Sequence, residues 1–130
     1  MHRILVVEDE EAVAAGLRLL LEQEYVVDVA NTGHAALKAL LSDTHFDAVL
    51  CDLLMPGREG LETIRELRRN YPAMPVIAIS GGMVVPALDP LPLAARLGAC
   101  RTIAKPFRMN QLLAVVAEVL GQKPQPAAAP

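Results

Sequence analysis

The chain has 130 residues, of which 53% are hydrophobic and 21% charged, and its formal net charge is -3. This length suits one compact domain, and this composition is that of a globular protein rather than a disordered or fibrous one. A net negative chain lacks the broad basic surface that nucleic-acid binding requires, and no run approaches the roughly 18 apolar residues of a membrane span. We therefore expect no direct nucleic-acid partner, no membrane association and a cytoplasmic location.

Short runs rich in Val and Ile alternate with longer segments of helical period, which is the pattern of βαβ units around a parallel sheet. The first strand is predicted at residues 3–7, the first helix at 11–23 and the second strand at 26–30. An Asn-Thr-Gly turn follows at residues 31–33, and the apolar residues after it have the spacing of a second amphipathic helix. The first half of the chain thus predicts two β-α pairs.

The second half begins with the most apolar strand, residues 46–51, which is typical of a central strand covered on both faces. A helix is predicted at 61–70, a strand at 76–80, a brief strand at 102–104 and a final helix at 109–120. Prolines interrupt the segment between the last two strands, so only a short helix is expected there, at 93–97. The predicted fold is a doubly wound α/β domain over residues 1–121, followed at 122–130 by a disordered Pro/Ala-rich tail or the start of a linker.

Polar residues follow four of the predicted strands at their carboxyl ends. The acidic pair Glu8 and Asp9 follows the first strand, Asp52 ends the third, Ser80 ends the fourth and Lys105 ends the fifth. In an open parallel sheet, ligands bind beyond the carboxyl ends of the strands. The sequence therefore predicts that these five side chains lie at one edge of the sheet and form a site.

The charges of this set indicate the chemistry that it supports. Three clustered carboxylates repel one another unless a cation lies among them, and Mg²⁺ prefers oxygen ligands while keeping several of its waters. Such an ion neutralises the oxygens of a phosphoryl group and so permits attack by an anionic carboxylate. We expect Mg²⁺ as the cofactor, with Mn²⁺ as the alternative ion.

The ordered set of motifs resembles the receiver domain of two-component response regulators, over residues 3 to 120. The residues that carry the resemblance are Glu8-Asp9, Asp52 with Met55-Pro56-Gly57, Ser80, and Lys105-Pro106-Phe107. The resemblance implies a flavodoxin-like three-layer fold with strand order 2-1-3-4-5. It also implies a signalling switch that is not an enzyme and that accepts a phosphoryl group from a phosphohistidine on a histidine kinase or histidine phosphotransfer protein.

The resemblance also assigns a role to each site residue. Asp52 would be the phosphate acceptor and a metal ligand, Asp9 a direct metal ligand, Glu8 a ligand acting largely through water, and Leu54 a ligand through its backbone carbonyl. Ser80 and Lys105 would each bind an oxygen of the phosphoryl group. The peptide bond between Lys105 and Pro106 would be cis.

One position departs from the family pattern. Receivers usually have an aromatic residue three positions before the lysine, and this chain has Thr102 there. Our hypothesis is that phosphorylation is retained while its conformational readout differs, with residues 80–92 as the mobile element. A second hypothesis concerns the lifetime of the phosphate, because Leu54 is apolar where a polar side chain would orient an attacking water.

Two other functions stay open at this stage. The chain could be a degenerate receiver that binds partner proteins without phosphorylation, or a phosphohydrolase that uses an Asp nucleophile. Against the second, Leu54 stands where such enzymes commonly have a second Asp as general acid. The chain is expected to be a stand-alone receiver or a fragment of a longer protein. We expect a monomer or a weak homodimer. The sequence does not identify the downstream protein target.

Overall fold

The computed structural model describes residues 1–53, 59–81, 95–96, 98–105 and 107–121. Five strands and four longer helices alternate along these residues. In chain order they are β1 Arg3–Val7, α1 Glu11–Leu21, β2 Val26–Ala30, α2 Gly33–Leu41, β3 Ala48–Asp52, α3 Glu59–Asn70, β4 Val76–Gly81, β5 Arg101–Lys105 and α4 Met109–Val119. The predicted short helix at 93–97 falls mostly outside the described residues, and the tail at 122–130 does so entirely.

The five strands form one sheet in which every neighbouring pair is parallel, in the order β2-β1-β3-β4-β5. This confirms the predicted fold class and strand order. Parallel neighbours require a crossover connection, and α1, α2 and α3 provide it between the first four strands. The first strand lies inside the sheet, so strand order reverses between β1 and β3, where a crevice forms at the carboxyl ends.

Both faces of the sheet are covered by helices, and each face has its own apolar core. The core on the α2 and α3 side includes Leu5, Val49, Cys51, Ile64 and Leu67. The core on the α1 and α4 side includes Ile4, Val6, Leu17, Leu50, Ile77 and Leu112. All five residues of β3 are buried, as predicted for a central strand. Because side chains alternate across a strand, the apolar run of β3 contributes to both cores.

Several element boundaries differ from those predicted by the sequence. The first helix ends at Leu21 rather than at residue 23; the amides of Glu24 and Tyr25 both bond to the Leu21 carbonyl, at 3.1 and 2.9 Å, and close its last turn. The third strand starts at Ala48 rather than at residue 46 and includes Asp52; Phe46 is buried but precedes the ladder. The fifth strand spans Arg101–Lys105, longer than predicted, because its backbone pairs with β4 along five residues. The remaining differences are of one or two residues at an element end.

Candidate functional site

The predicted polar residues do lie at the carboxyl ends of neighbouring strands. Asp52, the last residue of β3, is in register with Ile79 of β4, so Ser80 lies one position beyond it. Lys105, the last residue of β5, is in register with Gly81. Glu8 directly follows Val7, which is in register with Cys51. The sheet register therefore brings residues from four strands to one rim, as the sequence predicted.

Three of these side chains are buried although they are polar. Glu8 and Asp52 are each 2% exposed, and Ser80 is 4% exposed. Burying an ionisable or hydroxyl group costs free energy unless a partner compensates for the lost water. A rim with this composition is therefore unfavourable for stability by itself, which is typical of a site that binds a charged ligand.

The central contact of the rim joins Lys105 to Asp52. The Lys105 Nζ donates a hydrogen bond to Asp52 Oδ2 at 2.7 Å, across 53 residues of sequence. The Asp52 side chain is 2% exposed and that of Lys105 is 25% exposed, so a buried anion pairs with a partly exposed cation. A charge-assisted bond in such surroundings is stronger than one between neutral groups. It holds an Asp52 carboxylate oxygen beside the ammonium group of Lys105.

Glu8 shows how closely the acidic side chains approach one another. Burial, followed by a hydrogen bond with Asp52 and the negative charge of Asp52, raises the pKa of Glu8 to about 8. A hydrogen bond with Asp9 acts in the same direction, and the backbone amide of Glu10 opposes it. Near neutral pH, Glu8 therefore holds a proton for much of the time unless a cation replaces it.

Two polar atoms at the rim are buried and have no hydrogen-bond partner among the described residues: Asp9 Oδ1 and Ser80 Oγ. Nearly all buried polar atoms in folded proteins are hydrogen-bonded, so each exception needs a physical explanation. A cation beside Asp9 and an anion beside Ser80 would satisfy both atoms.

The acidic residues fit Mg²⁺ in a limited sense. Within the part of the chain that the structure describes, no group of three or more His, Cys, Asp or Glu side chains forms a complete cage for a metal ion. Mg²⁺ does not need one, because it retains several waters and takes one or two carboxylates from the protein. The Asp9 side chain is hydrogen-bonded with Glu8, and Glu8 is hydrogen-bonded with Asp52.

Comparison with known proteins identifies the family. The family model of the response regulator receiver domain matches residues 4–117. The chain belongs to the response regulator receiver family. Receivers are signalling domains of two-component systems, they generally bind Mg²⁺, and they interact with histidine kinases.

Relatives of this receiver include regulatory proteins of Staphylococcus and Bacillus. The response regulator ArlR of Staphylococcus saprophyticus is 38% identical over 128 residues, which cover 96% of this chain and 55% of ArlR. The uncharacterized transcriptional regulatory protein YkoG of Bacillus subtilis is 37% identical over 124 residues, covering 92% of this chain and 51% of YkoG. The chain thus spans about half the length of these curated relatives.

Solved structures share the fold across the whole receiver. A receiver domain protein from Methanospirillum hungatei has a TM-score of 0.81 at 29% identity, covering 93% of this chain and 94% of that one. The response regulator TrrA of Thermotoga maritima, solved in complex with Mg²⁺ and BeF, has a TM-score of 0.77 at 30% identity, covering 92% and 99%. In the described ranges, no helix of this receiver is both long and apolar enough to cross a membrane.

One supporting residue of the receiver site was missed by sequence reasoning. The Asn31 side-chain Nδ2 donates to the Glu8 carbonyl at 3.1 Å, while the Glu8 amide donates to the Ala30 carbonyl at 3.0 Å. Together these bonds fix the backbone of the acidic pair from the end of β2. The turn signal at residues 31–33 was recognised, but a hydrogen bond across 23 residues has no signature in the sequence.

Some predicted features of the receiver fall on residues outside the described ranges. These are the Leu54 carbonyl, the segment Met55-Pro56-Gly57, the residue Pro106 of the predicted cis peptide, and most of the proposed mobile element, residues 82–92. Thr102 is described and lies exposed on the edge strand β5. The sequence hypotheses about readout and phosphate lifetime therefore stay predictions.

Proposed function

We propose that this receiver is a phosphorylation switch in which Asp52 accepts a phosphoryl group from a phosphohistidine on a histidine kinase or histidine phosphotransfer protein. The observation that carries the proposal is the 2.7 Å contact between Lys105 Nζ and the Asp52 carboxylate, which is 2% exposed. A structural ion pair would serve equally well at the protein surface. The burial of this ion pair at the rim, with Glu8 and with a Ser80 hydroxyl that has no hydrogen-bond partner among the described residues, favours a reactive carboxylate.

The reaction follows from these positions. An oxygen of Asp52 attacks the phosphorus, the bond between phosphorus and the imidazole nitrogen breaks, and the nitrogen keeps the electron pair. Lys105 then moves its charge-assisted bond from the carboxylate to an oxygen of the transferred group, and Ser80 Oγ donates to another. Asp52 becomes an acyl phosphate. Lys105 and Ser80 then each have a phosphoryl oxygen as their hydrogen-bond partner.

Glu8, Asp9, Asp52 and the Leu54 carbonyl are the proposed ligands of Mg²⁺, with Mn²⁺ as the alternative ion. When bound, the ion would neutralise charge on the phosphoryl oxygens and so reduce their repulsion with Asp52. Glu8 is assigned a ligand role largely through water, as the resemblance to receivers implies, and it can lose its proton when a cation binds. The complex of TrrA with Mg²⁺ and BeF supports a divalent ion in this family.

The remaining parts of the proposal concern the wider protein. We place the receiver domain at residues 1–121 and a tail or linker start at 122–130. The domain promotes only its own phosphorylation and dephosphorylation, in the cytoplasm, and makes no direct contact with nucleic acid. Since one relative is called a transcriptional regulatory protein, the last statement concerns the receiver alone.

Intact-mass measurement after incubation with phosphoramidate tests the proposal, with and without Mg²⁺. The expected product carries one phosphoryl group, forms only with a divalent ion and is absent in Asp52→Asn. A folded wild-type chain that gains no phosphoryl group would support the binding-module alternative and overturn the switch. Steady release of phosphate from a monoester substrate would instead indicate a phosphohydrolase.

A further inference from the structure

The first turn of α3 lies directly against the backbone of the proposed phosphate acceptor. Gly60, the second residue of α3, is buried. A Cβ atom placed on Gly60 would lie 3.0 Å from the Asp52 carbonyl oxygen, 3.0 Å from the Leu53 Cα and 3.3 Å from the Leu53 Cδ2. The first two are backbone atoms, which cannot rotate away as the end of a side chain can. A residue with a side chain would therefore force α3 and the end of β3 apart by a few tenths of an ångström.

Neither side of this contact yields easily. The Leu53 amide donates to the Ile79 carbonyl at 2.7 Å, which ties the end of β3 to β4. On the other side, Ile64 and Leu67 anchor α3 in the core with no exposed surface. A displacement at Gly60 would therefore be shared between the helix and the backbone that carries Asp52.

From this contact we infer that Gly60 is a positioning residue for phosphoryl transfer, because its lack of a side chain lets α3 hold the Asp52 backbone where the carboxylate meets Lys105. The inference rests on the proposed role of Asp52. Reacting groups must be held close to their productive geometry, and displacements well below 1 Å are enough to slow a reaction. We expect Gly60→Ala to slow phosphorylation on the order of tenfold.

The alternative is that Gly60 is a residue of a helix and has no positioning role. It predicts the opposite change in the melting temperature of Gly60→Ala. Alanine favours a helix over glycine, so without the backbone contact Gly60→Ala would raise the melting temperature and leave phosphorylation unchanged. Gly16 provides the matched control. It lies inside α1 and is exposed, and a Cβ placed on it would have no atom within 4 Å outside its own helix and chain neighbours.

The experiment compares wild type, Gly60→Ala and Gly16→Ala, with phosphoramidate as donor and Mg²⁺ at saturating concentration. Three quantities are measured: the rate of aspartyl phosphate formation, the melting temperature, and the NMR shifts of the Asp52 and Leu53 amides and the Lys105 Nζ. We expect Gly60→Ala to slow the reaction and to move all three resonances. Gly16→Ala should raise the melting temperature and leave both the rate and these resonances at their wild-type values.

A rate and Nζ shift in folded Gly60→Ala equal to those of wild type would overturn the inference while leaving the proposed function intact. Absence of labelling in wild type would instead overturn the proposed function. Should Gly60→Ala be partly unfolded, the double variant with Gly16→Ala restores the folded population. A slow rate in that folded double variant supports the inference, and a wild-type rate overturns it.

Discussion

The two ends of the parallel sheet treat charged residues in opposite ways. At the carboxyl end, Glu8 and Asp52 are buried, and the Ser80 hydroxyl has no hydrogen-bond partner within the described part of the chain. Toward the amino end, Arg3 pairs with Asp28 at 2.9 Å while both side chains are more than a third exposed. The first end concentrates buried polar groups and the second pairs its charges in contact with water.

Two carboxyl groups express this difference in their pKa values. Burial, with the hydrogen bond and charge of Asp52, raises the pKa of Glu8 to about 8. The backbone amide of Arg3, at 2.8 Å, lowers the pKa of Asp47 from its ordinary value. The carboxyl group at the amino end thus already has a hydrogen-bond donor. At the carboxyl end, the burial of Glu8 and its repulsion with Asp52 are uncompensated until a cation binds. This asymmetry supports the proposed site at the carboxyl end without reference to any relative.

Removing the cation of the carboxyl end should have the largest effect. Lys105→Met removes the cation that pairs with Asp52, and with it one of the groups proposed to bind the phosphoryl oxygens. We expect phosphorylation by phosphoramidate to slow by roughly a hundredfold, the usual cost of losing such an electrostatic contact. Lys38→Met, on the exposed face of α2, is the matched control and should leave the rate unchanged. Equal rates in the two variants would remove Lys105 from the mechanism.

Glu8 should make stability depend on pH when no divalent ion is present. An unfolded Glu8 loses its proton near its ordinary pKa of 4.5, while the folded chain keeps that proton until about pH 8. The free energy of unfolding therefore falls as pH rises through this window, by up to about 1.4 kcal/mol per pH unit. Urea unfolding of wild type and Glu8→Gln across the window isolates this contribution, since the variant cannot ionise there.

The same slope of unfolding free energy against pH in wild type and Glu8→Gln would show that Glu8 is not the titrating group.

Asp47 should act with the opposite sign, because its folded pKa is lowered. Its stabilisation is present above the unfolded pKa and is lost as pH falls through the folded pKa. Asp47→Asn should therefore change the slope of the unfolding free energy with pH in the acid range and leave the slope across the Glu8 window unaffected.

Substitution of Asn31 should have a smaller effect, confined to the affinity for Mg²⁺. Asn31→Ala removes the hydrogen bond to the Glu8 carbonyl and loosens the backbone of the acidic pair. A hydrogen bond of this kind contributes about 1 kcal/mol, so we expect Mg²⁺ affinity to fall about fivefold. Amide shifts recorded during a Mg²⁺ titration measure the change, with Thr44→Ala in an exposed loop as control. Unaltered Mg²⁺ affinity in Asn31→Ala would show that this bond does not support the site.

The smallest effect is expected at the amino end. Asp28→Asn breaks an ion pair in which the side chains are 35% and 39% exposed, so the free energy of unfolding should fall by only about 0.5 kcal/mol. Phosphorylation and Mg²⁺ binding should not change. A large loss of phosphorylation in Asp28→Asn would contradict the separation of the two ends.

Much of the fold and site could be predicted because each depends on local pattern plus one general rule. Alternating apolar strands and amphipathic helices indicate a doubly wound sheet, and polar residues after four strands then have to meet at its carboxyl edge. Asp52 and Lys105 were placed in this way and lie 2.7 Å apart. The motif order added the residue roles, which stay proposals.

What could not be predicted depends on packing between distant parts of the chain. The hydrogen bond from Asn31, the close approach of Gly60 and the raised pKa of Glu8 arise only once strands and helices have met. The limits of β5 were also missed, because an edge strand with exposed residues lacks a clear apolar alternation and its ends are set by pairing with β4.

Locating the phosphoryl group within the chain tests the central claim most directly. Wild-type protein treated with phosphoramidate and Mg²⁺ is reduced with borohydride, which converts an aspartyl phosphate to homoserine, and the peptides are sequenced by tandem mass spectrometry. The account predicts homoserine at position 52 alone. Homoserine at position 9 or 47 instead, or at no position in a folded protein, would contradict the claim that the carboxyl end of this sheet is built around a reactive Asp52.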